Sequence, residues 1–297
     1  MRLVMLLMVM GWSVCYLSSV DAQPKGKGDT ESAIDKLAKD LRNPNPNVRL
    51  KAVQKLGQLE GADKDRVSML LCDAILDPEP TISKTALQLL EDVYPELYKY
   101  IVVIVVDKNP FNKIQAIGEL SKMGTKARPA TRLLHNVISS NIKMISSNIP
   151  ERNIQEYITR LSRVNYIVSA SFDALRKMEA YDLETLNFVK NIIFTVEIPY
   201  RDEEVFIHVH DKVKILALEY LVEWAGTDQL KRKELISVLK VGLRRTEGEL
   251  LMKSIEISGS YGELAADLLP LLKEHKLSSD ARIREAASKA VEKIAKR

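Results

Sequence analysis

The chain reads as an all-α protein, a right-handed α-solenoid of about six or seven stacked helical hairpins. Three observations lead there. First, the corner Asn43-Pro44-Asn45-Pro46-Asn47-Val48-Arg49 is written again as Asp77-Pro78-Glu79-Pro80-Thr81-Ile82 and as Asp107-Lys108-Asn109-Pro110-Phe111-Asn112, after steps of 34 and 30 residues. Second, each copy sets Asp or Asn three residues before a Pro, with Ala six residues after that Pro (Ala52, Ala86, Ala116) and Leu ten after (Leu56, Leu90, Leu120). A unit of this length cannot bury its own apolar face, so successive copies must stack. Third, 297 residues at 46% hydrophobic and 28% charged have the composition of a globular chain, long enough for one large domain or one elongated array.

The first 22 residues stand apart. Met1-Arg2 gives a positive start, residues 3–10 (LVMLLMVM) are wholly apolar, and polar breakers lead to Val20-Asp21-Ala22. This is the pattern of a secretory signal peptide cut after Ala22. It divides the chain into a signal peptide (1–22), a flexible linker (23–31) and the solenoid (32–297). The competing reading is an uncleaved membrane anchor, since residues 3–20 carry no charge. That stretch only just reaches the length of a bilayer span, and Gly11, Ser13, Ser18 and Ser19 dilute it. Cleavage makes the protein exported (periplasmic, cell-envelope or secreted), and a membrane enters only if the segment stays. The cleaved chain has 43 basic against 39 acidic residues, a net +4 too small to imply nucleic acid. It keeps one cysteine, Cys72, so no internal disulfide can form and a hydrophobic core must hold it together.

Residues 23–29 (QPKGKGD) have nothing to bury and read as a spacer. Thr30 or Ser32 is then expected to cap a helix whose Ile34, Leu37, Ala38 and Leu41 fall on one stripe. It must stop before Pro44, which pushes the preceding residue out of the α region. A second helix from about Asn47 buries Val48, Ala52 and Leu56 and ends near Gly57. The next hairpin uses Val67, Leu70, Leu71, Ala74 and Ile75, then Ile82, Ala86, Leu89 and Leu90. In the third, residues 101–106 (IVVIVV) alone would read as a buried strand. Their register with the two earlier copies makes them a buried helix instead.

Beyond residue 120 the Pro corner fades while the second-helix pattern persists. Taking Val48, Ile82, Asn112, Ala170, Val213, Leu250 and Ile283 as equivalent gives steps of 34, 30, 58, 43, 37 and 33. The long step holds either an enlarged pair or one further degenerate repeat. The 43-residue step contains residues 196–210, expected to be a non-helical connection with Val205, Ile207 and Val209 alternating.

The stretch NPNVRLKAVQKLGQL (45–59) resembles a HEAT repeat: a turn, Val-Arg, Ala four residues after the Val, Leu eight after, and Gly. DARIREAASKAVEKI (280–294) is similar, with Ile283-Arg284 and Ala287 in the same places. The resemblance implies that the Arg and a turn Asp join neighbouring repeats. Arg49 and Arg284 fit the Arg position, whereas Ser83, Lys113, Ser171, Lys214 and Leu251 depart from it. It also implies a curved surface offered to another macromolecule, with no chemistry in the motif itself.

Candidate chemistry is sparse. On an extended segment His208 and His210 would point the same way, with Asp211 adding an oxygen, a set suited to Zn²⁺ or Cu²⁺. Two-residue His spacing without a third His or Cys nearby is weak, and Asp211 is better placed as the N-cap of the next helix, so no metal is expected. Cys72, among Leu70, Leu71 and Ala74, reads as a small buried hydrophobe. His135 reads as a partly buried helix residue and His275 as part of a solvated end. Lys231, Arg232, Lys233, Lys240, Arg244 and Arg245 form a basic stretch that could meet an anionic partner, although Glu234 and Glu247 offset it. No phosphate loop, Gly-x-Ser-x-Gly, His-Glu-x-x-His or paired-Cys motif occurs, and no cofactor is expected. The expectation is a non-catalytic exported scaffold with a protein or peptide partner. The alternative is an enzyme of the HEAT-like kind, such as the bilin-attaching lyases or a group of DNA glycosylases, which act inside cells.

Overall fold

The computed structural model describes residues 27–146, 154–194 and 203–296, all of them in helices and their connections. The helices form successive antiparallel pairs: α1 (Lys27–Asp40) with α2 (Pro46–Leu56), α3 (Lys64–Ile75) with α4 (Pro80–Val93), and α5 (Pro95–Val106) with α6 (Pro110–Met123). A 3-10 segment η1 (Gly124–Ala130) leads into α7 (Thr131–Ser146), which pairs with the long α8 (Ile154–Lys177). Then come α9 (Leu183–Phe194) with α10 (Glu203–Ala225) and α11 (Gln229–Arg245) with α12 (Gly248–Ser260). Last are η2 (Gly262–Leu268) and α13 (Leu269–His275) with α14 (Ala281–Ala295). The chain is an all-α solenoid, and the 58-residue step holds one enlarged pair, α7 and α8.

The Pro corner works by local hydrogen bonding. The side-chain oxygens of Asn43, Asp77 and Asp107 each accept the N–H two residues on, at 2.9, 2.9 and 2.7 Å. Pro46, Pro80 and Pro110 then open the following helix, where a missing N–H costs nothing. Asn45 and Asn109 cap α2 and α6, accepting from the N–H of Asn47 and Phe111.

Every position in the Ala column is buried: Ala52, Ala86, Ala116, Ala174, Ala217, Ser254 and Ala287 are all 5% exposed or less. Short side chains there let second helices pack against their neighbours at close range. The approach is close between α12 and α14, where a Cβ on Gly259 would lie 2.9 Å from the Ala290 Cα.

Arg49 shows how the first two hairpins are joined. Its guanidinium grips Asp77 in the next corner with two bonds of 2.7 and 2.9 Å and returns Nη1 to the carbonyls of Asn43 and Pro44. Arg284 makes the same return to the carbonyls of Ser278 and Ser279, 2.7 Å each. At the equivalent place in α4, Ser83 only reaches the Ile75 carbonyl, and Asp107 is held by Asn112 of its own corner. The Arg–Asp link therefore does not continue into the third unit.

The third hairpin is helical throughout, including residues 101–106, but it sits out of step. Helix α5 packs on α4 and α6, while the place beside α3 is taken by η1 and α7. Only Tyr94 separates α4 from α5, too little chain to cross to the other row of helices. One row thus runs α2, α4, α5, α6, α8, α10, α12, α14, and the other runs α3, η1–α7, α9, α11, η2–α13. A single apolar cluster extends between them from Leu37 to Ile294.

Three expectations are corrected. Helix α1 begins at Lys27, inside the expected 23–31 linker, and buried Thr30 and exposed Ser32 both lie within it rather than capping it. Burial of Thr30 alongside Ile34 makes one more turn of helix useful to the core. The chain from 203 to 210 is helical, so only residues 196–202 of the expected connection remain, and these lie outside the described residues. Asp211 is an interior residue of α10, not its cap. The signal peptide and the rest of the spacer also lie outside the described residues. Among those described, no helix is long and apolar enough to cross a membrane.

Candidate binding groove

The displaced third hairpin brings α7 against α3, and an open groove of about 630 Å³ forms along that row. Its walls come from separate units: Met69 of α3; Arg128, Thr131, Arg132 and His135 of η1–α7; Glu179, Ala180, Tyr181 and Asp182 between α8 and α9; Glu184 and Thr185 of α9. Residues 128, 131, 132 and 135 stand at i, i+3, i+4 and i+7, one helical stripe aimed at the opening.

Arg132 ties the walls together. Its Nη1 donates to Asp73 Oδ2 on α3 at 2.6 Å, and its Nε and Nη2 grip both oxygens of Glu184 on α9 at 2.8 Å each. Three helices of one row are linked through this guanidinium. The Glu184 bond foremost, with Asp73 adding to it, holds the guanidinium's pKa further up. Burial pushes the Asp73 carboxyl up to about 6, with Arg132 pulling the other way. Asp73 Oδ1 is buried and has no partner.

The wall between α8 and α9 is held from both sides. Arg128 donates Nε to the Met178 carbonyl at 2.8 Å and pairs with Glu179 at 3.1 Å. Glu179 is the one non-glycine among the described residues in the left-handed region, with φ 51°. An L-residue enters that region at an energetic cost, so its neighbours must hold it there. From beneath, the buried Tyr220 hydroxyl donates to the Ala180 carbonyl. Asp182 caps α9, accepting from the Thr185 N–H at 2.9 Å and the Thr185 hydroxyl at 2.7 Å. The Thr131 hydroxyl is likewise engaged, donating to the Arg128 carbonyl.

His135 lines the groove at only 9% exposure, stacked on Phe188 of α9 with ring centroids 4.3 Å apart. Its Nε2 has no hydrogen-bond partner. Burial lowers its pKa to about 4, against the pull of Asp182 and Glu184, so the ring is neutral near pH 7. The sequence shows the Pro corner fading beyond residue 120 and His135 as a partly buried helix residue, but nothing in it points to the links from Arg132 to Asp73 and Glu184. Those partners lie 59 and 52 residues away in sequence. The stripe 128–131–132–135 was the available signal for the groove.

The other candidates scatter. Of the basic stretch on α11, Lys233, Lys240 and Arg244 are exposed along one stripe. Lys231 instead lies over the Trp224 ring, and Arg232 bonds the Gly226 carbonyl and covers Tyr261. Glu234 pairs with Lys190. The Arg245 side chain lies outside the described residues. His208 and His210 fall within helix α10 rather than on the extended segment expected of them, and their side chains lie outside the described residues. His275 is half-buried rather than solvated, its Nε2 2.8 Å from the Leu243 carbonyl, and it links α13 to α11. Cys72 is fully buried, and burial pushes its thiol pKa well up, away from a reactive thiolate.

No family model matches the chain, and no curated protein matches it. Among solved structures it is similar to a designed armadillo repeat protein, at 14% identity over 88% of this chain and 99% of the other, with a TM-score of 0.32. It is also similar to human deoxyhypusine hydroxylase in complex with glycerol, at 15% identity over 89% and 96%, with a TM-score of 0.22. Both likenesses are too loose to carry an argument, and the assignment to the α-solenoids rests on the helix pairing itself.

Proposed function

We propose that the chain is an exported, non-catalytic scaffold that binds a protein or peptide partner in the groove along α3, α7 and α9. The observation that supports this most is the way the groove is made. One arginine clamps three successive helices of a row, so the walls are held at fixed spacing before anything binds, which limits the ordering cost of association. Solenoids offer such multi-repeat surfaces to macromolecules. The chemistry supports binding over catalysis: both groove threonine hydroxyls are engaged, and the thiol of Cys72 lies in the core. Export rests on the pattern of the N-terminal 22 residues.

The test has two arms. Mass spectrometry of the native N-terminus should find Gln23 first; retention of residues 1–22 would convert the reading to an anchored scaffold. A photo-crosslinking side chain at Met69 or Tyr181, introduced in the exporting cell, should capture one partner that the same group at Leu277 does not. Leu277 is 87% exposed and stands at the α13–α14 corner. Equal capture at all three positions would overturn the groove as the binding surface.

A further inference from the structure

We propose that the groove takes an alkylammonium or guanidinium group, carried on a lysine or arginine side chain of the partner or on a free amine. This builds on the groove being a binding surface and adds the chemistry of its ligand.

The charge inventory sets the sign. Three carboxylates line the groove (Glu179, Asp182 and Glu184), and Asp73 stands behind Arg132. Against them are two guanidiniums, both already committed: Arg128 to the Met178 carbonyl and Glu179, Arg132 to Asp73 and Glu184. The carboxylates keep free lone pairs after these bonds, because an ionised carboxylate has about four acceptor sites. Both titratable rings feel the same excess. Two carboxylates, Asp182 and Glu184, act on His135 against Arg132 alone, and Glu223 and Glu179 act on Tyr181 against Arg176 alone. An anion entering here would meet repulsion, whereas a cation meets partners.

The second observation is His135. His135 belongs to the groove lining, nine-tenths buried, and its Nε2, closed to solvent, is an unmet hydrogen-bonding group. In the neutral ring the unprotonated nitrogen accepts a hydrogen bond, and an ammonium or guanidinium is a donor without acceptor capacity. The walls suit the rest of such a side chain. Met69, 43% exposed, offers a pliable apolar surface for an aliphatic stem, and Tyr181 adds an aromatic ring to the lining.

The experiment uses the full-length protein and four probes: acetyl-Gly-Lys-Gly-amide, its norleucine and glutamate counterparts, and 1,5-diaminopentane. Calorimetry gives the affinities, and nitrogen NMR follows the His135 ring. The lysine peptide should bind about tenfold more tightly than the norleucine peptide, the scale of one hydrogen bond to a charged group. It should also shift the Nε2 resonance, and the glutamate peptide should not bind. Glu179→Gln, which alters only an exposed ion pair, should weaken lysine binding roughly threefold. His135→Phe keeps the stack on Phe188 and should lose the preference for lysine. Diamine binding as tight as the peptide's assigns a free amine, and weaker binding assigns a partner's side chain. Equal binding of the norleucine peptide, or an unmoved His135 resonance on saturation with lysine peptide, overturns the proposal. If that happens while crosslinking at Met69 still captures a partner, the scaffold reading stands and only the ligand chemistry fails.

Discussion

Asp73 on α3 and His135 on α7 give the protein two opposed pH dependences that nearly cancel. Burial raises the Asp73 carboxyl from its ordinary 3.8 to about 6. The folded state therefore binds this proton more tightly than the unfolded chain does. The stability it brings is complete below pH 3.8 and is lost as pH rises through 6. His135 runs the other way: burial lowers it from 6.5 to about 4, so its contribution is complete above pH 6.5 and is lost as pH falls through 4. Between pH 7 and pH 4 proton linkage assigns a gain of about 2 kcal/mol to Asp73 and a loss of about 3 kcal/mol to His135. The parent protein should show only their small difference from this pair. Asp73→Asn removes the gain and should lose about 2 kcal/mol more than the parent over that range. His135→Phe removes the loss and should fare about 3 kcal/mol better than the parent over the same range. The assay is urea unfolding at pH 4, 5, 6 and 7, comparing changes with pH rather than absolute stabilities, because Asp73→Asn also weakens the Arg132 bond. Two single variants that track the parent would refute the assignment of these opposed shifts.

Three further outcomes follow from the packing. Ala52→Leu and Ala287→Leu each force a branched side chain into a closed column, and both should lower stability by about 1–3 kcal/mol in thermal melts. Gly259→Ala places a methyl group 2.9 Å from the Ala290 backbone, so α12 and α14 must part; a comparable loss is expected, with accelerated amide exchange confined to the last two hairpins. Arg49→Lys keeps the charge but cannot grip both oxygens of Asp77 or return to two carbonyls, so the first hairpin should detach at lower temperature, read by amide exchange in α1 and α2.

Much of the fold was legible because the repeat is local. The Asx–Pro corner, the Ala column and the Leu that follows it all act within about fifteen residues, and they put Val48, Ile82, Asn112, Ala170, Val213, Leu250 and Ile283 on seven successive second helices. Residues 101–106 were read as helix against their β-branched composition, since register outweighs propensity when copies stack. The segment 203–210 went the other way. Alternation of Val205, Ile207 and Val209 imitates a strand when no Pro corner precedes it to set the register. The start of α1 was misplaced because Gly and Lys disguise its first turn. The groove was half legible: its region could be named as the place where the copies diverge, but the Asp73–Arg132–Glu184 bonds join residues that no local pattern associates.

The groove and the irregularity of the repeat have one origin. In an unbroken stack, the first helix of the third hairpin would lie against α3 and cover Asp73 and Met69. With a single residue between α4 and α5, that helix stays in the other row, and η1 brings α7 into the vacancy. The η1–α7 segment arrives carrying Arg128, Thr131, Arg132 and His135 on one stripe, polar groups a regular first helix would have no reason to hold. Gly124, at φ 58°, supplies the left-handed turn from α6 into η1 that this route requires. The site is thus the consequence of one short connection. Lengthening the Tyr94 link by several residues should release α5, and if α5 then competes with α7 for α3, the Arg132–Asp73 bond and the groove would be lost together while the other hairpins remain stacked.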